Sequence, residues 1–393
     1  MRAIFTVILF SASFLNSYTT FAITLKGYLY VDKNNNGIRD KNEIGVKDVV
    51  ISDQVTISRT NADGFYQLES TASFGYFFVS QPNGYLLKGS YWKSIPKETT
   101  ELTTDFALVP SPIGKGFSFI HASDTHISFP TVSRMQKLKH LTDSLKPAFV
   151  LITGDLIKDA LRVSEKEATS LYELYLAEIA KFSVPVYSVP GNHEIFGIER
   201  HKSLVSETHP LYGKKMFRSY LGPDYYSFNY GGVHFVGLNS VDYHDLWYYG
   251  HLDSTQLKWL SKDISLLPKE NPIVTFNHIP LYSGGTSLDE FREEEPGSSL
   301  ININGKKYYR HIVSNANEVI SIMKNNSYPL ALGGHHHFSQ QFTYDAVGQR
   351  TRFHQTAAVI GPTTGGDLTM PSGITLYTVE NGKINDGKFI PIR

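Results

Sequence analysis

Three consecutive histidines, His335-His336-His337, follow Gly333-Gly334 at the end of an apolar run over 328–332. Imidazoles need hydrogen-bond partners or a metal, so a triplet at the mouth of a buried strand is hard to reconcile with packing alone. Taken alone, the triplet also reads as a His-rich surface loop. The chain repeats the arrangement, however. Asp124-Thr125-His126, Gly154-Asp155, Gly191-Asn192-His193-Glu194 and Asn277-His278 each come directly after an apolar, β-branched run. A fold that accommodates all five must gather strand ends in one place, as open α/β sheets do.

The intervening residues support that architecture. Strands are predicted over 117–122, 149–153 and 185–189, with helices over 132–145 and 164–182 between them. In the second helix Leu171, Leu174, Tyr175 and Ile179 recur at helical spacing and read as core. A polar insertion follows Glu194. Next come two strands, 225–228 and 233–238, around Gly231-Gly232, then a helix over 255–267 leading into a strand over 273–276. A helix over 317–324 precedes the run before Gly333, and the remainder is β-rich. Alternating strands and helices define an α/β layered domain.

At 393 residues and 41% hydrophobic content the chain can bury a sizeable core and divides into two domains. Its formal net charge is zero, so it lacks the basic excess that drives binding to phosphate backbones, and nucleic acid is not an expected partner. There are no cysteines, which excludes disulfides, thiolate metal sites and thiol nucleophiles. Any metal must be held by His, Asp, Asn or Glu.

Residues 1–22 read as a signal peptide, with Arg2 before an apolar stretch and a small-residue exit at Ala22. The mature chain is then expected in the periplasm or outside the cell, without a membrane-spanning segment. Residues 23–109 alternate short apolar runs with turn signals and read as a β-sandwich, with strands over 24–31, 49–52, 65–69 and 76–80 and a hairpin turn at Asp63-Gly64. Within it, Asp32, Asn34, Asn36, Ile38, Asp40 and Glu43 stand at calcium-loop spacing around Gly37. An Asn-Gly-rich surface turn is the other reading of these residues. The region resembles the β-sandwich repeats of bacterial surface proteins, which implies a spacer or recognition module. Pro110-Ser111-Pro112 opens a linker, and 110–393 are expected to form the domain that carries the five motifs.

Carboxylates, imidazoles and an amide oxygen without thiolates suit a pair of transition metals, Mn, Fe or Zn, with one carboxylate bridging. The ordered series Asp-x-His, Gly-Asp, Gly-Asn-His-Glu, His and Gly-His-x-His resembles the calcineurin-like metallophosphoesterase superfamily over roughly residues 115–385. Gly222-Pro223-Asp224-Tyr225-Tyr226-Ser227-Phe228 and Gln256-Leu257-Lys258-Trp259-Leu260 are similar to stretches of its extracellular and bacterial members. The resemblance implies a two-sheet sandwich flanked by helices. It also implies that Asp124, His126 and His337 hold one metal, that Asn192, His278 and His335 hold the other, and that Asp155 bridges them. His193 would be the catalytic imidazole, and His336 has no assigned role. Where relatives carry a metal-binding Tyr or an orienting Asp three residues after the bridging Asp, this chain has Lys158, followed by Asp159. A purple acid phosphatase is therefore disfavoured.

The expected reaction is hydrolysis of a phosphomonoester or phosphodiester by a metal-bridging hydroxide, with His193 protonating the leaving oxygen or bonding a phosphoryl oxygen. Export favours a phosphorylated glycan, a lipid headgroup or a nucleotide as substrate. Tyr243, Trp247, Tyr248 and Tyr249 would either wall the pocket or pack structurally. The rival reading is a non-catalytic cell-surface binding protein.

Overall fold

Phe119 and Ile120, neighbours on the strand Gly116–Ala122, point into two different cores, and that alternation organises the larger domain. The structure, a computed structural model, describes residues 22–393 apart from 72, 113, 115, 285–298, 347–348 and 366–367. The expected signal peptide lies outside the described residues, save its last position. Two six-stranded sheets face each other. In one, Gly116–Ala122, Phe149–Thr153 and Val186–Val189 run parallel and Gly373–Glu380 joins antiparallel. In the other, Val233–Gly237, Ile273–Phe276, Leu330–Gly333 and Gln349–Gln355 run parallel, with Tyr226–Tyr230 and Gln340–Ala346 antiparallel at the edges.

Aromatic rings fill the space between the sheets. Phe119 stacks on Phe149 and meets Phe235 edge-on, with centroids 5.4 Å apart in each pair. On the outer face of the first sheet, helices Val132–Leu145 and Glu165–Ile179 bury Leu138, Leu171, Tyr172 and Tyr175 against Ile120, Val150 and Ile152. Helices Ser254–Ser265 and Ala316–Met323 contribute Trp259, Leu260, Val319 and Met323 to the second sheet. Gly231 and Gly232, at φ 61° and 80°, close the predicted hairpin with two left-handed residues, the geometry of a two-residue primed turn.

The amino-terminal region is the expected sandwich, with one sheet built on Ile23–Val31 and a four-stranded sheet built on Val50–Ser52 and Tyr76–Ser80. Alternating burial along Ile23–Val31 and Phe65–Ser70 sends Leu25, Leu29, Tyr66 and Leu68 into a shared core. One expectation needs correction. Asp63-Gly64 is a turn but not a hairpin: Ile57–Arg59 pairs in the second sheet and Phe65–Ser70 in the first. The Leu29 N–H donates to the Gly64 carbonyl at 2.8 Å, which ties the end of the turn to the first sheet.

The two domains share packing. Phe78 belongs to the same core as Trp259, whose indole N–H donates to Ser52 Oγ at 3.1 Å. Gln54 Nε2 donates to the Tyr225 carbonyl at 2.6 Å, and the Tyr225 hydroxyl returns a bond to the Gln54 carbonyl at 2.8 Å. The Asn229 N–H bonds the Gln81 carbonyl, so the sandwich covers the exposed edge strand of the second sheet. Among the described residues no helix is long and apolar enough to cross a membrane.

Candidate metal centre

Each predicted motif sits at the carboxyl end of its strand, where the chain turns sharply. Asp124, His126, Asp155, His335 and His337 all adopt positive φ, at 54°, 38°, 48°, 76° and 62°. For residues other than glycine such backbone is costly and gathers at sites where surrounding structure over-determines it. Two motif glycines are there because nothing larger fits. A Cβ on Gly191 would lie 2.2 Å from Asp155 Oδ1, and one on Gly334 would lie 1.9 Å from Ser123 Oγ.

The side chains converge on two clusters that share Asp155: Asp124, His126, Asp155 and His337 in one, and Asp155, His278 and His335 in the other. Asn192 completes the second, its Oδ1 3.1 Å from His278 Nε2. His278 Nε2 also stands 3.1 Å from His335 Nδ1 and 3.2 Å from Asp155 Oδ1. In the first cluster His126 Nε2 is 3.1 Å from His337 Nε2 and 3.5 Å from Asp155 Oδ2. Ligand atoms about 2.1 Å from one octahedral ion stand roughly 3 Å apart, so these spacings suit a shared cation.

A buried orphan points the same way. Asp124 Oδ1 has no hydrogen-bond partner among the described residues, although His337 Nε2 lies 3.2 Å away. A desolvated carboxylate oxygen left in that state is expensive unless a cation faces it. The donor set, nitrogen and oxygen without sulfur, fits a hard or borderline ion. Burial pushes His126 down to about 4 and His335 well below its ordinary value, so both rings offer lone pairs at neutral pH. His278 is buried as well, but the Asp155 carboxylate overrides burial and raises it to about 9. Asp124 raises His337 in the same sense.

Other groups hold the loops. Glu194 Oε1 accepts from the N–H groups of Leu156 and Ile157, and Oε2 from that of Gly191, stitching the Asp155 turn to the Asn192 turn. Burial and the Asp155 charge push this carboxyl up to about 8, while the N–H bonds from Ile157 and Gly191 pull the other way. His193 Nδ1 donates to the Lys158 carbonyl at 2.7 Å. Asp159 is 3.9 Å from the same nitrogen, beyond hydrogen-bond reach, and accepts from Leu161 N–H and Arg162 instead. The backbone of Lys158, not the carboxylate beside it, therefore orients the ring. His193 Nε2 then turns toward the clusters, 3.9 Å from Asp155 Oδ2.

Of the four aromatic residues considered for the pocket wall, Tyr248 reaches the centre, its ring 6.0 Å from that of His335. Tyr243 packs on Tyr212 and Tyr249 on Tyr308. Trp247 lies near Arg310. No motif marks His311, yet its Nδ1 bonds His335 Nε2 at 2.7 Å. It follows no apolar run, which is the signal that exposed the other histidines.

The Asp32–Glu43 loop is arranged differently. Asp32 accepts from the N–H groups of Asn36 and Gly37, and Glu43 from those of Lys33 and Asp40. The Asn34 and Asn36 amides donate to Asp40. Lys88 Nζ stands 3.4 Å from Asp32 Oδ2 and bonds the Asn35 carbonyl.

Strand-end ligands on a two-sheet α/β sandwich define a metallophosphoesterase-like protein, and comparison with known proteins agrees. The family model for calcineurin-like phosphoesterase matches residues 117–339, more than half of the chain, and that for the N terminal of calcineurin-like phosphoesterase matches 33–111. The chain belongs to the calcineurin-like phosphoesterase family. It is 28% identical over 148 residues to the serine/threonine-protein phosphatase CPPED1 of Bos taurus, covering 37% of this chain and 44% of that one. Over 58 residues, 15% of this chain and 17% of the other, it is 36% identical to a manganese-dependent ADP-ribose/CDP-alcohol diphosphatase of Xenopus tropicalis. The chain thus spans less than half the length of these curated relatives. Among solved structures, GAP50, the anchor in the inner membrane complex of Plasmodium, aligns with a TM-score of 0.42 at 13% identity, covering 71% of this chain and 85% of that one.

Proposed function

We propose that the protein is an exported, metal-dependent phosphoesterase that hydrolyses a phosphomonoester or phosphodiester outside the cytoplasm. The observation that carries this reading is the pair of clusters sharing Asp155 around the unsatisfied oxygen of Asp124. Asp124, His126 and His337 would hold one ion, Asn192, His278 and His335 the other, and Asp155 both. Mn, Fe and Zn suit that donor set. When bound, such ions neutralise charge on phosphoryl oxygens and acidify water.

The chain's own part in the reaction falls to His193. Because the Lys158 carbonyl only accepts, Nδ1 keeps its proton, and the proton that exchanges is the one on Nε2, the nitrogen facing the clusters. As imidazolium, His193 would donate that proton to the leaving oxygen. Tyr248 and the 241–250 hairpin wall the His335 side, where a headgroup, glycan or nucleoside would rest. The names of the curated relatives, a protein phosphatase and a nucleotide-type diphosphatase, accord with a phosphate-ester substrate of one of these kinds. In the amino-terminal domain the Asp32–Glu43 loop keeps its two readings, a calcium site and an Asn-Gly-rich surface turn, which calcium titration of the full chain separates.

The test is turnover of p-nitrophenyl phosphate beside bis-p-nitrophenyl phosphate, with Mn, Fe or Zn supplied after chelation. Metal-dependent hydrolysis of either is expected, and the preferred ester fixes monoesterase against diesterase. Turnover of neither, with two ions bound, would leave the non-catalytic binding protein as the reading.

A further inference from the structure

His311 follows the two-stranded insertion Leu300–Ile303 and Lys306–Tyr309, and the chain just beyond it is pinned on both sides. The Val313 N–H donates to the Pro280 carbonyl at 2.9 Å, two residues past His278, and the Ser314 N–H donates to the Gly250 carbonyl at 2.8 Å. This anchoring sets the His311 ring edge to edge with that of His335, with centroids 5.0 Å apart and planes 22° from parallel.

The two nitrogens of His335 face different ways. Nδ1 turns into the second cluster, 3.1 Å from His278 Nε2, while Nε2 meets His311 Nδ1 at 2.7 Å. A neutral imidazole that offers its Nδ1 lone pair to an ion carries its hydrogen on Nε2. That hydrogen must therefore be donated to His311, whose Nδ1 holds a lone pair. The neighbouring His336 donates from Nε2 to the His311 carbonyl at 3.0 Å, so the middle member of the triplet clasps the residue that its neighbour bonds.

We infer that His311 is a positioning residue, which fixes the tautomer and rotation of His335 so that Nδ1, not Nε2, faces the second metal cluster. Partners of this kind usually set the affinity of the ion that their ligand holds. The inference rests on the reading of His335 as a metal ligand, and it gives the insertion, which no motif marks, a role in the centre. His336 acts through the same residue by holding its backbone in place.

Manganese titration of the chelated full-length protein, with ion content per chain and low-temperature EPR as readouts, separates the possibilities. In His311→Ala one of the two ions should bind roughly 10- to 100-fold more weakly, with the other unchanged. His311→Asn, which restores an acceptor near the Nδ1 position, should return affinity to within about threefold of wild type, a recovery that lost packing would not produce. If the alanine variant does not fold, His311→Leu keeps bulk without an acceptor and carries the same expectation. Equal affinity in wild type and the acceptor-less variants overturns the inference, as does an asparagine variant no better than alanine. A wild-type chain that takes up no ion sinks the ligand reading itself, and the inference with it.

Discussion

The metal-centre cluster and the Asp32–Glu43 loop both crowd carboxylates and amides into sharp turns, but they differ in what those groups already have. In the loop, Asp32 and Glu43 accept backbone N–H bonds, Asp40 accepts from two asparagines, and Lys88 brings a positive charge of its own. In the cluster, ring nitrogens face one another at 3.1 Å and a buried carboxylate oxygen has no donor. The loop is complete as a piece of chain. The cluster leaves polar atoms that a cation would satisfy, so polar satisfaction marks a candidate centre better than residue type does.

The largest effect expected from this contrast is at the shared ligand. Asp155→Asn keeps an oxygen that can accept the His193 N–H bond but removes the charge both clusters share. Both ions should be lost, and turnover should fall by about 10⁴-fold or more, the scale of several kcal/mol of charge stabilisation. Ion content measured beside turnover checks this; two retained ions would show that Asp155 is not the bridge.

His193→Asn should fall between the extremes. Its ring lies outside both clusters, so ions and fold should persist while turnover drops by about 10²- to 10⁴-fold. If the ring donates a proton, an alkyl ester should suffer more than a nitrophenyl ester, whose leaving group needs little protonation. Equal losses would mean that the ring only positions the phosphate.

The smallest effect belongs to the loop. Calcium near its dissociation constant should stabilise the full chain by less than about 1 kcal/mol, read as a small rise in melting temperature. Lys88→Met removes the rival cation and should enlarge that rise; no response in either protein would make the loop a plain turn. Burial opposes ionisation of Asp32, but the Gly37 N–H, Lys88 and the Asn36 N–H hold its carboxyl below the usual range. A carboxyl lowered in the folded state adds stability above its unfolded pKa of about 4, and the contribution disappears as pH falls through the folded value. Asp32→Asn should therefore flatten the acid limb of a melting-temperature profile, and an unchanged limb would assign the acid sensitivity elsewhere.

Much of the larger domain was legible because its signals are local. Apolar runs announce strands, Gly231-Gly232 announces a primed turn, and the clustered His and Asp residues that immediately follow a strand are found by reading to its end. What escaped depends on groups distant in sequence or on backbone atoms. The carbonyl that orients His193 belongs to Lys158, whose side chain says nothing of that role. Asp63-Gly64 looks like any tight turn, and only the pairing of its flanking strands with different sheets distinguishes an arch from a hairpin. The packing of the amino-terminal region on the larger domain escaped because a surface built from Ser52, Gln54, Phe78 and Gln81 has no period of its own. His311 sits in an insertion without periodicity, and its meaning comes from one nitrogen of a residue 24 positions away.

The left-handed backbone at Asp124, His126, Asp155, His335 and His337 has a consequence for how the chain lives without its ions. Each such residue sits about 1–3 kcal/mol above a relaxed conformation. Domains of ordinary size keep only about 5–15 kcal/mol in hand against unfolding, so the turns that make the centre weigh heavily on the whole. On the proposed metal assignment, ions that bind only the folded chain would offset part of that cost. Freshly made chain that meets no metal would dwell closer to its melting point, more open to proteases, and its lifetime would follow the metal content of its surroundings.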